Sequence, residues 1–298
     1  MKFTRIFSII FLALLSIQFN LNSCSDENGD SLTAPENKPT NDYEVVVEVV
    51  SFGGLAGCTT GSIALLNEPV SDAEFLLNGV QLSNDPSSIF SNLYTDTLGV
   101  INYQPGTSYK LEVSHNGNVI ASGDAKMPSV PEVTNLEDMD THNLNKSLEV
   151  KWKKVNNATS LEVYIDGYVY DSAVGDSVHR EYSTELLSPD KVSCVIPDTL
   201  FNTPGIYVMG VTAYYGVNPG NFTVDINDTE GYTKGYNIKG AAGVFLAANV
   251  YPPTEEGIRI VVGQVNNLQK SMNRSKSFRQ MMIEKNLKCF RNSHLLKK

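Results

Sequence analysis

The chain has 298 residues, 41% hydrophobic and 19% charged, and its 23 Lys plus Arg against 33 Asp plus Glu give a formal charge of −10. This is a globular composition in a length suited to one large or two medium domains. The acidic balance excludes generic nucleic-acid binding, which needs clustered Lys and Arg.

At the N-terminus, Lys2 and Arg5 precede an apolar run of twelve residues, Ile6 to Ile17. Such a run is too short to span hydrocarbon, which takes roughly 20 residues, and suits the core of a signal peptide. It leads into Leu21-Asn22-Ser23-Cys24, which resembles the lipobox of bacterial lipoproteins. The resemblance implies that residues 1–23 are a signal peptide. It also implies that Cys24 carries the lipid, palmitate among its acyl chains, and becomes the mature N-terminus. Several acyl chains on one cysteine hold a membrane as a single chain does not. Ser25-Asp26-Glu27-Asn28 resembles the acidic export signal that sends some lipoproteins to the surface of gram-negative bacteria. The expected location is therefore the outer membrane, with the protein lipid-anchored and facing the cell exterior. Residues 24–42 form a lipidated tether: from 25 to 42 only Leu32 and Ala34 are apolar, too few to build a core. Eighteen residues reach about 60 Å when extended.

The next segment reads as strands. In Tyr43–Val50, YEVVVEVV, the side chains of Tyr43, Val45, Val47 and Val49 share one face and Glu44 and Glu48 the other, the period of a strand. Gly53 to Gly61 is glycine-rich but lacks the Gly-Lys-Ser/Thr ending of a phosphate cradle, so a flexible inter-strand loop is expected there. Asn78-Gly79 and Asn116-Gly117 are dipeptides of type I′ hairpin turns. Between them Tyr109–Val113 alternates, introduced by Pro105-Gly106. Turns at this spacing predict an antiparallel sandwich over 43–127, and its order of short motifs is similar to immunoglobulin-like and transthyretin-like modules of envelope proteins.

After Met127-Pro128 come a proline-led Pro131–Leu136, Leu148–Trp152 with the single tryptophan, Ala158–Ile165, and Tyr207–Ala213. Together these resemble a fibronectin type III domain over 128–262. The resemblance implies that Trp152 packs centrally and that Tyr207 makes the corner hydrogen bond of that family. It departs from the pattern in a long segment, Val217 to Lys239, ahead of an expected last strand Gly243–Val250. The fold class expected for the whole is all-β, with two immunoglobulin-like or fibronectin type III-like sandwiches after the signal and tether.

Functional candidates are few. The late segment carries Tyr214, Tyr215, Asp225, Asp228, Tyr232 and Tyr236, flat rings beside acceptors of the kind that recognise sugars, on a long loop. The same residues also suit a solvated loop whose tyrosines cover a sandwich edge. No metal site is expected, since the acidic spacing there does not match a calcium loop and Cys58, Cys194 and Cys289 form no ligand pair. His115, His142, His179 and His294 are scattered and neither HExxH nor GxSxG occurs, so no catalytic residue, cofactor or enzyme activity is expected. Asp-Ser or Asp-Thr followed by a small or aliphatic residue recurs, as in Asp96-Thr97-Leu98 and Asp198-Thr199-Leu200; this is similar to a bacterial O-glycosylation sequon and equally to ordinary turn pairs.

Charge is unevenly spread. From Gln264 to Lys298 nine basic residues face one acid, Glu284, while residues 25–263 hold 12 basic and 32 acidic groups, a net −20. Val261, Val265, Leu268 and Met272, then Ile283, Leu287 and Phe290, have helical spacing, so the basic tail 263–298 suits an amphipathic helix, docking on its own acidic body, or a segment that does not fold. The functional expectation is a non-catalytic binding or scaffolding module whose partners are the membrane, through its lipid, and a polysaccharide or another envelope protein. The alternatives are a glycan-capturing accessory lipoprotein using the 214–236 loop and an accessory chain of an envelope hydrolase.

Overall fold

A computed structural model of the chain describes residues 42–66, 68–84, 93–171, 176–216, 237–253 and 257–263. These residues form sixteen strands and one 3-10 turn, with no α-helix among them. The body is all-β. Among the described residues no helix is long and apolar enough to cross a membrane.

The first sandwich is built from β1 (Tyr43–Phe52), β2 (Ala56–Leu65), β3 (Glu68–Pro69), β4 (Glu74–Leu77), β5 (Val80–Asn84), β6 (Leu93–Thr95), β7 (Ser108–His115) and β8 (Asn118–Lys126). Asn78 and Gly79 have φ of 52° and 77°, and Asn116 and Gly117 have 53° and 73°, the positive angles a type I′ turn demands of both central residues. They close the β4–β5 and β7–β8 hairpins. One layer runs β1-β2-β6 and the other β5-β4-β7-β8, with β5 also pairing β6 through Ser83 and Asn84. Val45, Val47 and Val49 meet Phe75, Leu77, Tyr109, Leu111 and Val113 between the layers.

The loop expected over Gly53 to Gly61 is confined to a turn at 53–55. From Ala56 the chain is strand β2, antiparallel to β1. Its small residues serve packing rather than flexibility: a Cβ on Gly61 would stand 2.6 Å from the Phe75 ring, so the bare backbone makes room for the aromatic.

The second sandwich comprises β9 (Asp140–His142), β10 (Leu148–Lys151), β11 (Ser160–Asp171), β12 (Asp176–Ser183), β13 (Ser193–Ile196), the 3-10 turn Asp198–Phe201, β14 (Gly205–Tyr215) and β16 (Ile258–Val262), with β15 (Ala242–Tyr251) lying between the last two in sequence. A layer ordered β12-β11-β14-β16-β9 faces the pair β10-β13. Trp152 is 3% exposed in the core between them and donates its indole N–H to the Lys191 carbonyl at 2.9 Å. The Tyr207 hydroxyl meets the carbonyls of Leu200 and Thr203 at 3.1 and 3.0 Å, which is the tyrosine corner that the resemblance implied. Burial pushes this phenol up to about 12, so it stays a donor.

The last strand of this sandwich is β16, not the expected Gly243–Val250. The first half of β14 pairs β16 and its second half, Val211–Tyr215, pairs β15. On its other edge β15 runs parallel to β1, from Glu44 opposite Ala242 to Phe52 opposite Val250. Residues 216–257 are thus an excursion between the two final strands of the second sandwich. By packing, Ile238, Ala241, Phe245 and Ala247 belong to the core of the first, whereas their place in the sequence had put them with the second.

The pairing ties β12-β11-β14-β15-β1-β2 into one sheet. Alternate side chains of β1, β11, β14 and β15 enter the two cores, and the rest share the opposite face. Strands buried on both faces read as near-continuous apolar runs, as in GIYVMGVTAYY of β14 and AGVFLAANVY of β15. Asn249 on β15 is fully buried at the junction: its amide donates to the Pro128 carbonyl at 3.0 Å and its carbonyl oxygen accepts from the Gly53 N–H at 3.1 Å.

Candidate binding site

Of the residues singled out in the sequence, Tyr214 and Tyr215 fall among the described residues, and both are packed into the fold. Tyr214 is 1% exposed, and its hydroxyl donates to Glu162 Oε2 at 2.7 Å. Its ring is wall rather than platform, because it falls on an inward-facing register position of a strand buried on both sides. Tyr215 is half-buried against the first core. Asp225, Asp228, Tyr232 and Tyr236 lie outside the described residues, as do Cys24 and the segment 264–298. Of the Asp-Thr motifs, Thr97 and Thr199 are exposed, and Asp96 is occupied in accepting the backbone N–H groups of Gly99, Val100 and Ile101 at 2.9, 3.3 and 3.0 Å. Cys58 and Cys194 are not joined by a disulfide. Among the described residues no group of three or more His, Cys, Asp or Glu is placed to hold a metal ion.

A cleft of about 610 Å³ opens instead at one end of the first sandwich. Three pieces of chain make it: the approach to β4 from Ser71 to Glu74, the outer edge of β5 from Gln81 to Asn84, and the end of β7 with its turn, Ser114 to Gly117. They meet because β4 pairs with both β5 and β7, so loops far apart in sequence share one rim.

The floor is Tyr94, 2% exposed and stacked on Phe75 with ring centroids 4.4 Å apart. Its hydroxyl accepts the Ala73 N–H at 2.9 Å, fixing the approach to β4. His115 stands between Tyr43 and Asp72: Nδ1 lies 2.6 Å from the Tyr43 hydroxyl and Nε2 lies 3.1 Å from Asp72 Oδ1. With both ring nitrogens engaged, the imidazole braces the rim and is not set to take a proton from a ligand. Ser114 Oγ donates to Glu74 Oε2 at 3.3 Å, and Asn84 Nδ2 to the Ser71 carbonyl at 2.8 Å.

The lining carries two carboxylates, amides and hydroxyls, and no Lys or Arg. That chemistry repels phosphates and other anions and suits a neutral or cationic ligand rich in hydroxyls. Leu98, 74% exposed at the lip, adds an apolar contact. The sequence shows the Asn116-Gly117 turn at this site, but nothing in it places Ser71–Glu74 beside Asn116; that follows from a pairing of strands over thirty residues apart.

No family model matches the chain and no curated protein matches it. Among solved structures it is similar to the FN1–FN3 domains of chicken CNTN1, at 10% identity and TM-score 0.26 over 71% of this chain and 68% of that one. It is also similar to the fibronectin(III)-like modules of Clostridium thermocellum CbhA, at 11% identity and TM-score 0.20 over 74% of this chain and 94% of that one. A third is DIP-gamma IG1+IG2, at 8% identity and TM-score 0.17 over 75% of this chain and 99% of that one. The fold itself is read from strand order, the buried Trp152 and the Tyr207 corner: an all-β chain of fibronectin type III-like and immunoglobulin-like sandwich architecture.

Proposed function

We propose that the protein is a lipid-anchored cell-envelope module, tethered through Cys24 to the outer membrane and displayed outward, that binds without catalysis. The observation that carries the binding reading is the cleft between Ser71–Glu74, β5 and the β7–β8 turn, concave, polar and lined by neither Lys nor Arg. A neutral glycan fits that lining through Gln81, Asn84 and the Leu98 lip. This reading puts the glycan at the cleft; of the 214–236 loop, Tyr214 is committed to packing and residues 217–236 lie outside the described residues. Lipid attachment and outward display are supported by the lipobox-like Leu21–Cys24, the acidic start and the tether.

Titration calorimetry with a panel of neutral oligosaccharides tests the cleft. Binding that weakens at least tenfold in Gln81→Ala and Leu98→Ala supports it, and binding indifferent to both sinks it. Product formation in the same mixtures would instead revive the hydrolase reading. For location, a protease too large to cross the outer membrane, applied to intact cells beside a periplasmic control, is expected to remove the sandwiches; full protection would turn them inward.

A further inference from the structure

The sheet face opposite both cores is buried as well. Val50, Tyr164, Val208, Leu246 and Val250 on it are only 1–4% exposed. The other residues clustered with them, among them Phe52, Cys58 and Leu186, belong to the same sheet or its edge. A sheet face reaches such burial only beneath a second layer, and no described element supplies one.

Three acids sit on the same register positions: Glu48 at 2%, Glu162 at 7% and Asp166 at 2% exposure. Glu162 accepts from the Tyr214 and Ser183 hydroxyls. Asp166 accepts from the Tyr164 hydroxyl at 3.1 Å and lies 2.6 Å from His179 Nε2. Glu48 differs, for its Oε1 has no hydrogen-bond partner among the described residues. Burial pushes its carboxyl up to about 8. A buried, unpartnered carboxyl on an apolar face calls for a cation or a donor from whatever covers it.

We propose that the C-terminal segment, residues 264–298, docks on this face, its apolar residues against the sheet and its Lys and Arg toward Glu48 and the neighbouring acids. It carries nine basic residues and one acid, the complement of the face. It leaves the fold just after β16, whose Val262 pairs with Gly205 at the start of β14, so it departs from the end of a strand of the same sheet. From there to Tyr214 is about 30 Å along the strand, and the segment spans about 50 Å even if fully helical. The other outlying stretches fit poorly. Residues 217–236 hold Asp225, Asp228 and Glu230 against Lys234, and residues 25–41 hold Asp26, Glu27, Asp30 and Glu36 against Lys38.

The test compares the mature chain with one ending at Gly263, using a dye that fluoresces on apolar surface. Truncation is expected to raise the signal several-fold, and a synthetic peptide of residues 264–298 added in trans is expected to abolish it. That peptide should bind at least tenfold more weakly to a truncated chain carrying Glu48→Gln. In case the truncated chain does not fold, the full chain with Lys270, Arg274, Lys276 and Arg279 all changed to Glu provides the second comparison, with the same rise expected. An unchanged signal in both variants, a truncated chain that stays dark by forming dimers, or a peptide that fails to bind back would each overturn the proposal.

Discussion

Two residues show how single side chains hold this architecture. Tyr207 ties β14 to the turn at Leu200–Thr203 with its hydroxyl. Removing that donor in Tyr207→Phe should cost about 1 kcal/mol and lower Tm by roughly 2–4 °C, measured by thermal melting. Asn249 is the more demanding case, because it is fully buried and serves both the Gly53 N–H and the Pro128 carbonyl. Asn249→Ala leaves the buried Pro128 carbonyl without its donor, while the Gly53 N–H keeps the Val250 carbonyl at 3.1 Å, so a loss of about 1–2 kcal/mol is expected in denaturant unfolding.

Among the elements, β15 and β16 have separate dependencies. Near the start of the parallel pairing of β1 with β15, Gly243 lies opposite Val45 with φ of +111°, and its Cβ, if present, would stand 2.0 Å from the Val45 carbonyl oxygen. Gly243→Ala is therefore expected to part the strands at that end and speed amide exchange in Val45–Val47 at least tenfold. Strand β16 is clamped differently. Arg259 grips Asp138 with Nε at 2.9 and 3.2 Å and with its terminal nitrogen, and its N–H meets Asp138 Oδ1 at 2.9 Å. The Arg259 side-chain hydrogen bonds hold the Asp138 carboxyl below its ordinary value of 3.8. A lowered carboxyl stabilises the fold above its unfolded value and loses that contribution as pH falls through the folded one. Because Asp138 is 44% exposed, solvent screening limits the effect, and Arg259→Met should cost at most about 1 kcal/mol at neutral pH. Melts taken at successively lower pH should show the gap between variant and parent closing.

At the scale of the molecule, the two sandwiches are not beads on a string. The excursion 216–257 returns a strand from the second to the first, and Ile238, Ala241, Phe245 and Ala247 complete a core otherwise built before residue 128. A fragment of residues 42–127 therefore lacks both the hydrogen-bonding partner of β1 and part of its apolar filling. It is expected to show no cooperative transition by calorimetry and to bind an apolar-surface dye, whereas the chain through Gly263 should melt cooperatively. The same arrangement carries the cleft at one end of the first sandwich and the acidic face on the other side of the shared sheet, so ligand and tail would occupy separate surfaces.

Local features of this protein are legible in the sequence because they are decided within a few residues. The Asn-Gly turns require positive φ at both centres, the alternation of β1 follows from its period of two, and Trp152 and Tyr207 stand where the fibronectin type III pattern implies. Partnership between distant strands has no such local signal. Glu48 reads as the solvent side of an alternating strand, yet it is buried on a sheet face whose covering has no signal in the strand itself. Gly53–Gly61 reads as a loop because glycines that admit an aromatic ring look the same as glycines that bend. Tyr214 and the cleft residues look alike in sequence: polarity and aromaticity are visible there, but which face of which strand turns outward is settled only when the strands pair.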